Sequence, residues 1–201
     1  MADWTGNKRT TYVILGASNH CEDDRQTEDY YATDPIVIDN LKESFEIPNN
    51  IWECACGEGH LSKRLEELGH NVYSTDLIDR GYGEGNVNFL KTEELPEGID
   101  CILTNPPYKY ALDFVLHSLD LLKEGQYCIM FLKTTFLEGK KRYNELFTKY
   151  PPKYMLQFVN RIACAKNGDF EKLNNQGSAI AYAWFIWEKG FKGDTIVKWI
   201  N

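Results

Sequence analysis

The stretch IWECACGEGHLSKRLEELG, residues 51–69, joins two hydrophobic patterns through a glycine turn. It opens on a short apolar run, which is typical of a buried strand. Leu61, Leu65 and Leu68 then recur every three or four residues, as on one face of a helix. The stretch predicts a strand, a glycine turn and a helix, a junction where open α/β sheets bind ligands. Candidate ligand contacts in this turn, the Gly loop (residues 53–59), are Glu53, Ala55, Cys56, Gly57 and Gly59.

The rest of the chain alternates between strand-like and helix-like segments. Helices are predicted at 35–45 and 111–122, with a basic helix near 139–149. Strands are predicted at 72–76, 87–90, 99–103, 127–132, 153–159 and 179–187. This alternation implies right-handed crossovers onto a parallel sheet with helices on both faces, so the predicted fold class is α/β.

A second ligand signal is Asp76, which ends the second predicted strand roughly twenty residues beyond the first one. A carboxylate in this place can accept hydrogen bonds from both hydroxyls of a ribose. Leu77 follows it directly and is a candidate contact for the same ligand. The glycine turn and Asp76 together predict a nucleoside cofactor. They leave open whether this cofactor is a dinucleotide or S-adenosylmethionine.

The segment TNPPY, residues 104–108, follows the apolar strand predicted at 99–103. The Asn105 side chain and the Pro106 carbonyl offer two hydrogen-bond acceptors, Pro107 stiffens the turn, and Tyr108 offers an aromatic face. Two acceptors directed at one NH2 group draw its lone pair out of conjugation and make it nucleophilic toward a sulfonium methyl. This chemistry favours S-adenosylmethionine as the cofactor, and it requires no metal.

In these motifs the chain resembles the adenine-N6 DNA methyltransferases with an N-P-P-Y motif, most closely their small phage and prophage members. The resemblance covers nearly the whole chain. It implies a Rossmann-like class I methyltransferase with a mostly parallel seven-stranded sheet. It also implies cofactor contacts from Tyr31, Ala32 and Thr33, and from Asn88 and Phe89. The family has an Asp-Phe pair where this chain has Asn88-Phe89, so the ring stacking carries over more directly than the charged contact.

Length and composition set the domain organisation. The 201 residues predict one methyltransferase domain at 35–201 after an arm at 1–34, with no separate target-recognition domain. No secretory signal or membrane-length apolar run is evident, so the expected compartment is the cytoplasm. The six cysteines form no CxxC pair, and we predict no metal site. A monomer is the default oligomeric state.

Charge is distributed unevenly along the chain. The net charge is −8, yet residues 133–172 hold nine basic and four acidic residues. This segment is therefore +5 and the remainder is −13. A charged run is often only a solvated face, but this one follows the TNPPY segment. We therefore expect it to form the DNA-binding surface.

Several rival functions fit the same motifs. RNA adenine, the guanine N2 amine and a protein glutamine amide would also suit the two acceptors, and a non-catalytic partner subunit could retain the cofactor pocket. A cytosine-C5 enzyme is excluded, because neither Pro106 nor Pro107 is followed by the cysteine nucleophile which that reaction needs. His20, Arg25 and His60 receive no role.

Overall fold

The computed structural model describes residues 31–162, 164–166 and 180–201. A sheet of seven strands forms its centre, in the spatial order β3-β2-β4-β5-β8-β6-β9. The strands are β2 (Asn50–Glu53), β3 (Asn71–Ser74), β4 (Cys101–Thr104), β5 (Tyr127–Lys133), β6 (Tyr154–Phe158), β8 (Tyr182–Glu188) and β9 (Ile196–Ile200). Every pairing is parallel except the two made by β8. The mostly parallel seven-stranded α/β sheet predicted from the sequence is confirmed.

The parallel strands β2, β3, β4 and β5 end at one edge of the sheet, here called the carboxyl edge. Glu53, Ser74, Thr104 and Lys133 are their last residues. The Gly loop, Asp76 and the TNPPY segment therefore begin within a few residues of one another in space, although up to about fifty residues separate them in sequence.

The core lies in two layers, one on each face of the sheet. Alternate residues of β5 supply both: Cys128 and Met130 belong to one layer, and Ile129 and Phe131 to the other. All four side chains are fully buried. Burial on both faces explains why this strand is a continuous apolar run.

Three helices cover the two faces, namely α1 (Ile36–Ser44), α2 (His60–Glu67) and α3 (Ala111–Leu121). The buried residues of α3 include Ala111, Phe114, Val115 and Ser118, which recur at helical spacing on one face. Helices α1 and α2 contribute to the opposite layer. The predicted helices at 35–45 and 111–122 are confirmed to within one residue at each end. No helix in the described ranges is long and apolar enough to cross a membrane.

The strand predicted at 87–90 is wrong. Asn88 is the last residue with an extended backbone, and its side chain accepts a hydrogen bond from the Leu90 amide at 3.1 Å. This bond starts a 3-10 turn at Phe89–Lys91. An Asn side chain that bonds its own backbone two residues on competes with sheet pairing. The seventh strand is instead β9, at the other side of the sheet, which the sequence analysis missed.

The basic helix predicted near 139–149 is also different in the structure. It consists of one short α-helical segment, α4 (Lys140–Arg142), followed by a π-helical turn at Tyr143–Phe147. Leu146 is fully buried and fixes the turn against the core. The basic side chains of Lys140, Lys141 and Arg142 therefore lie on one short α-helical segment before the π-helical turn.

A two-stranded antiparallel sheet joins the arm to the body of the chain. It pairs β1 (Tyr31–Thr33) with β7 (Cys164–Lys166), and Thr33 lies opposite Cys164. The Asp34 carboxylate then accepts the Ile36 amide hydrogen at 3.0 Å at the start of α1. Farther along α1, the Val37 carbonyl accepts the indole N–H of Trp184 at 3.0 Å. The end of the predicted arm is thus anchored directly to the core.

Candidate functional site

The Gly loop and Asp76 meet at the carboxyl edge. Gly57 and Gly59 have positive φ angles of 57° and 78°, which favour glycine. The Gly57 amide donates to Asp76 Oδ2 at 2.8 Å, and the Cys56 amide donates to the Thr75 carbonyl at 3.0 Å. The structure therefore brings together the two features from which a nucleoside site was predicted.

Asp76 also stabilises the loop that follows it. Its Oδ1 accepts the Ile78 amide hydrogen at 2.9 Å, and each carboxylate oxygen retains a second lone pair for another donor. Leu77, between these two residues, is 56% exposed, so its side chain is open to a ligand. The predicted ribose contact of Asp76 stays a prediction.

A tyrosine covers part of the Gly loop, which the sequence analysis did not foresee. A Cβ atom at Gly59 would lie 2.3 Å from Tyr82 Cδ1, so this ring rests on the Gly59 backbone. A Cβ atom at Gly83 would lie 2.5 Å from the Ser74 carbonyl oxygen, so only a residue without a side chain fits there. A ligand that approaches Gly59 must contact or displace the Tyr82 ring. The glycines at 81 and 83 were the available sequence signal.

Glu53 is an acid in the core, 2% exposed, at the end of β2. Its carboxyl group pairs with the Ser62 hydroxyl, whose oxygen lies 2.7 Å from that of Ser74. Burial raises the pKa of Glu53 from 4.5 to about 8, and the negative charge of Asp76 adds to the rise. Glu53 is therefore mainly protonated at neutral pH. Its predicted cofactor contact stays a prediction.

Asn105 lies directly after β4 with one end of its amide bonded. Nδ2 donates to Thr33 Oγ1 at 2.7 Å. Oδ1 is buried and has no hydrogen-bond partner in the described part of the chain. Buried carbonyl oxygens without partners are rare, because losing water without a replacement bond costs about 1 to 3 kcal/mol. This acceptor is where a ligand N–H group would be satisfied.

The turn after Asn105 places Tyr108 beside a cation. The Pro107 carbonyl accepts the Tyr110 amide hydrogen at 2.8 Å, which closes the 3-10 turn at Tyr108–Tyr110. Lys133 Nζ lies 4.1 Å from the Tyr108 ring centroid. The predicted stacking of a planar group on Tyr108 and the acceptor role of the Pro106 carbonyl stay predictions.

The other predicted cofactor residues are less exposed to solvent. Phe89 is 2% exposed, and its ring packs against Trp52 and Phe114 at centroid distances of 5.1 and 4.9 Å. The ring is therefore buried in the core. Its predicted stacking on the cofactor adenine and the predicted contact from Asn88 stay predictions. Ala32 is buried, Ala55 is half-buried, and Tyr31 is described only as part of β1.

The predicted DNA-binding segment, residues 133–172, does not form one surface. Lys140 and Lys141 are exposed. Lys153, in contrast, precedes β6 at the opposite edge of the sheet and pairs with Glu188. Residues 163 and 167–172 of this segment lie outside the described residues, as do His20 and Arg25.

No protein-family model and no curated protein sequence matches the chain. Solved structures do. A Listeria monocytogenes protein assigned to the class I S-adenosylmethionine-dependent methyltransferases aligns over 94% of this chain and 71% of its own, with 14% identity and a TM-score of 0.58. A Vibrio vulnificus YJ016 protein assigned as the modification subunit of a type I restriction enzyme aligns over 95% of this chain and 50% of its own, with 13% identity and a TM-score of 0.58.

A third similar structure is a dimethyladenosine transferase from Plasmodium falciparum, with 17% identity and a TM-score of 0.51. The alignment covers 79% of this chain and 62% of that one. At such identities the similarity establishes the fold alone. The chain therefore has the Rossmann-like fold of the class I methyltransferases.

Proposed function

We propose that this chain transfers a methyl group from S-adenosylmethionine to the exocyclic N6 of adenine in DNA. The observation that carries the proposal is the buried Oδ1 of Asn105 at the carboxyl edge, which has no hydrogen-bond partner among the described residues. An acceptor in this place suits a substrate NH2 group and would repel a substrate carbonyl or carboxylate.

The residues around the Gly loop fit the proposed cofactor. Gly57 and Gly59 carry no side chain, so a ligand that displaces the Tyr82 ring from Gly59 could approach their backbone closely. Asp76 retains lone pairs for ribose hydroxyls. When bound, S-adenosylmethionine supplies an electrophilic sulfonium methyl. The residues that would hold it are those of the Gly loop with Asp76 and Leu77.

The chain's own contribution to the reaction is to bind and orient the amine. Asn105 Oδ1 and the Pro106 carbonyl would each accept one N–H hydrogen, which frees the nitrogen lone pair for in-line attack. Tyr108 would stack on the base after its removal from the duplex, a step that costs a few kcal/mol. Such fixed acceptors act by positioning and electrostatics.

The choice of adenine in DNA has two supports. One is the resemblance of the TNPPY segment and of the segment at 31–33 to the adenine-N6 DNA methyltransferases. The other is the fold similarity to a modification subunit and to a dimethyladenosine transferase, whose name refers to a methylated adenosine. The chain spans half the length of that modification subunit, so the activity and partners of the whole subunit are proposals for this chain.

Labelled methyl transfer tests the proposed function. The purified chain is incubated with S-adenosylmethionine carrying a labelled methyl group and, in parallel, with bulk DNA, bulk RNA and protein, each with and without a chelator. We expect label in DNA at equal rates in both conditions. Label in RNA or protein alone would replace DNA by the corresponding rival substrate, and no label in any arm would favour the non-catalytic partner subunit.

We expect the exposed lysines of α4 to bind DNA phosphates. Changing both Lys140 and Lys141 to Gln should weaken DNA binding and reduce the slope of log affinity against log salt by up to about 2, since each phosphate contact contributes roughly 0.9. Cofactor affinity should not change. Arg142 stays in place because its guanidinium lies 5.2 Å from the Phe136 ring centroid and supports the turn.

The matched control changes Lys123 and Lys192 to Gln. Both are exposed and lie in connections at the opposite edge of the sheet. Fluorescence anisotropy with a labelled duplex, measured over a salt series, compares the two variants. Equal slopes of log affinity against log salt for the two variants would show that α4 does not bind DNA phosphates.

A further inference from the structure

A buried hydrogen bond joins the end of the predicted arm to the TNPPY segment. Thr33 is 3% exposed, and its Oγ1 accepts from Asn105 Nδ2 across 72 positions of sequence. The resemblance to the methyltransferase family implies a cofactor contact for Thr33. In the structure its hydroxyl bonds to Asn105, the residue proposed to hold the substrate amine.

In the structure this bond is made with the donor end of the Asn105 amide, although the Thr33 hydroxyl could also donate to the acceptor end. A primary amide has a donor end and an acceptor end, and rotation about its last side-chain bond exchanges them. With Nδ2 on Thr33, Oδ1 is left for the substrate, because it has no partner within residues 31–162, 164–166 and 180–201. If the amide turned over, its NH2 group would face the substrate NH2 group, and neither could accept from the other.

The backbone around Thr33 is well placed to hold this orientation. Thr33 pairs with Cys164 in the small antiparallel sheet and is followed directly by the Asp34 contact that opens α1. The Thr33 backbone is therefore held by secondary structure on both sides. Such support is what a catalytic group needs to stay within its productive geometry.

We infer that Thr33 is a positioning residue that orients the Asn105 amide so that its carbonyl faces the substrate amine. The inference rests on the proposed function, in which Asn105 accepts a hydrogen from that amine. It assigns Thr33 an action through Asn105, in addition to any contact with the cofactor.

Kinetics of two substitutions at position 33 test the inference. Thr33→Val has nearly the same shape but no hydroxyl, and should lower kcat roughly tenfold, the upper range for one neutral hydrogen bond. The KM values for cofactor and nucleic acid should change less than about twofold, because the bond affects orientation rather than binding. Thr33→Ser, which keeps the hydroxyl, should recover most of the lost kcat.

The matched control is Thr195→Val. Thr195 also makes one hydroxyl bond, to the Pro152 carbonyl at 2.7 Å, but it lies beside the amino ends of β6 and β9. It should reproduce any general loss of stability without the loss of kcat. In addition, Thr33→Val should have no further effect on kcat when Asn105 is already alanine, since interacting residues are not additive.

A second readout does not depend on activity. The side-chain NH2 signals of Asn105 in a 15N-labelled sample can be identified by their absence in Asn105→Ala. They should shift in Thr33→Val and return toward the wild-type position in Thr33→Ser. Unshifted signals would overturn the inference, because they would show that the hydroxyl does not hold the amide.

Two kinetic outcomes would also overturn it. Cofactor binding weakened more than tenfold with kcat unchanged would make Thr33 a cofactor contact alone, and additive losses in the double variant would separate it from Asn105. If the wild-type chain methylates no substrate, the proposed function fails, and the NMR signals still decide whether Thr33 orients the amide.

Discussion

Replacing Asn105 with alanine should lower the turnover number at least about a hundredfold and leave the affinity for S-adenosylmethionine nearly unchanged. The side-chain oxygen of Asn105, Oδ1, is buried and has no hydrogen-bond partner in the described ranges. A bond to the amine strengthens as the nitrogen becomes pyramidal, so its loss affects the transition state more than the ground state. Single-turnover methyl transfer and calorimetry with the cofactor measure the two quantities separately.

The matched control is Asn144→Ala. Asn144 is exposed on the π-helical turn, and the substitution removes the same amide from the surface. It should retain wild-type turnover. If Asn105→Ala kept a near-normal rate while still binding cofactor, the acceptor mechanism would be wrong for this protein.

The second large effect is expected for stability rather than rate, at Glu53. Its pKa is about 8 in the folded chain, above an ordinary value of 4.5, because burial disfavours the charged form. Between these two values the folded state binds more protons than the unfolded state, so the free energy of unfolding falls as pH rises. The contribution of Glu53 to the free energy of unfolding is fully present below about pH 4.5 and is lost as pH rises through about 8.

Glu53→Gln should remove this dependence, because an amide stays neutral and can still accept from the Ser62 hydroxyl. As pH rises from 4 to 9, the free energy of unfolding of the variant should increase relative to that of the wild type. The increase should be on the order of 4 kcal/mol, at about 1.4 kcal/mol per pKa unit. Urea unfolding at a series of pH values measures this difference. For Glu97→Gln, at an exposed position, the free energy of unfolding plotted against pH should instead run parallel to that of the wild type. Parallel curves for Glu53→Gln would show that the Glu53 carboxyl titrates normally.

The sheet could be predicted where hydrophobic periodicity reports burial directly. The strand before the Gly loop and the run that became β5 are buried on both faces, so their sequences are continuously apolar. Strand β9 was missed because it lies at the edge of the sheet. Its sequence, IVKWI, is apolar apart from Lys198, but four of its five residues are exposed, so apolar composition does not report burial in this strand.

Local chemistry explains the strand that was predicted and is absent. Residues 87–90 have the composition of a short strand, but the Asn88 side chain bonds the Leu90 amide and turns the chain. Phe89, which follows Asn88 directly, is buried in the core. A propensity argument cannot weigh one such side-chain bond against sheet pairing.

The site could be predicted in its residue types but not in its contacts. Proximity of Gly57, Asp76 and Asn105 follows from the parallel topology, since all three come after neighbouring strand ends. The Tyr82 ring on Gly59 and the Thr33 bond to Asn105 depend on how two loops pack in three dimensions. No spacing in the sequence encodes either contact.

The most direct test of adenine-N6 methylation is nucleoside mass spectrometry of DNA treated with the purified chain and S-adenosylmethionine. DNA without N6-methyladenine serves as the substrate, and Asn105→Ala serves as the inactive control. The account predicts N6-methyldeoxyadenosine that increases with time and is nearly absent with the control. A methyl group found only on RNA, on a protein glutamine or on another base, with none on deoxyadenosine, would contradict it.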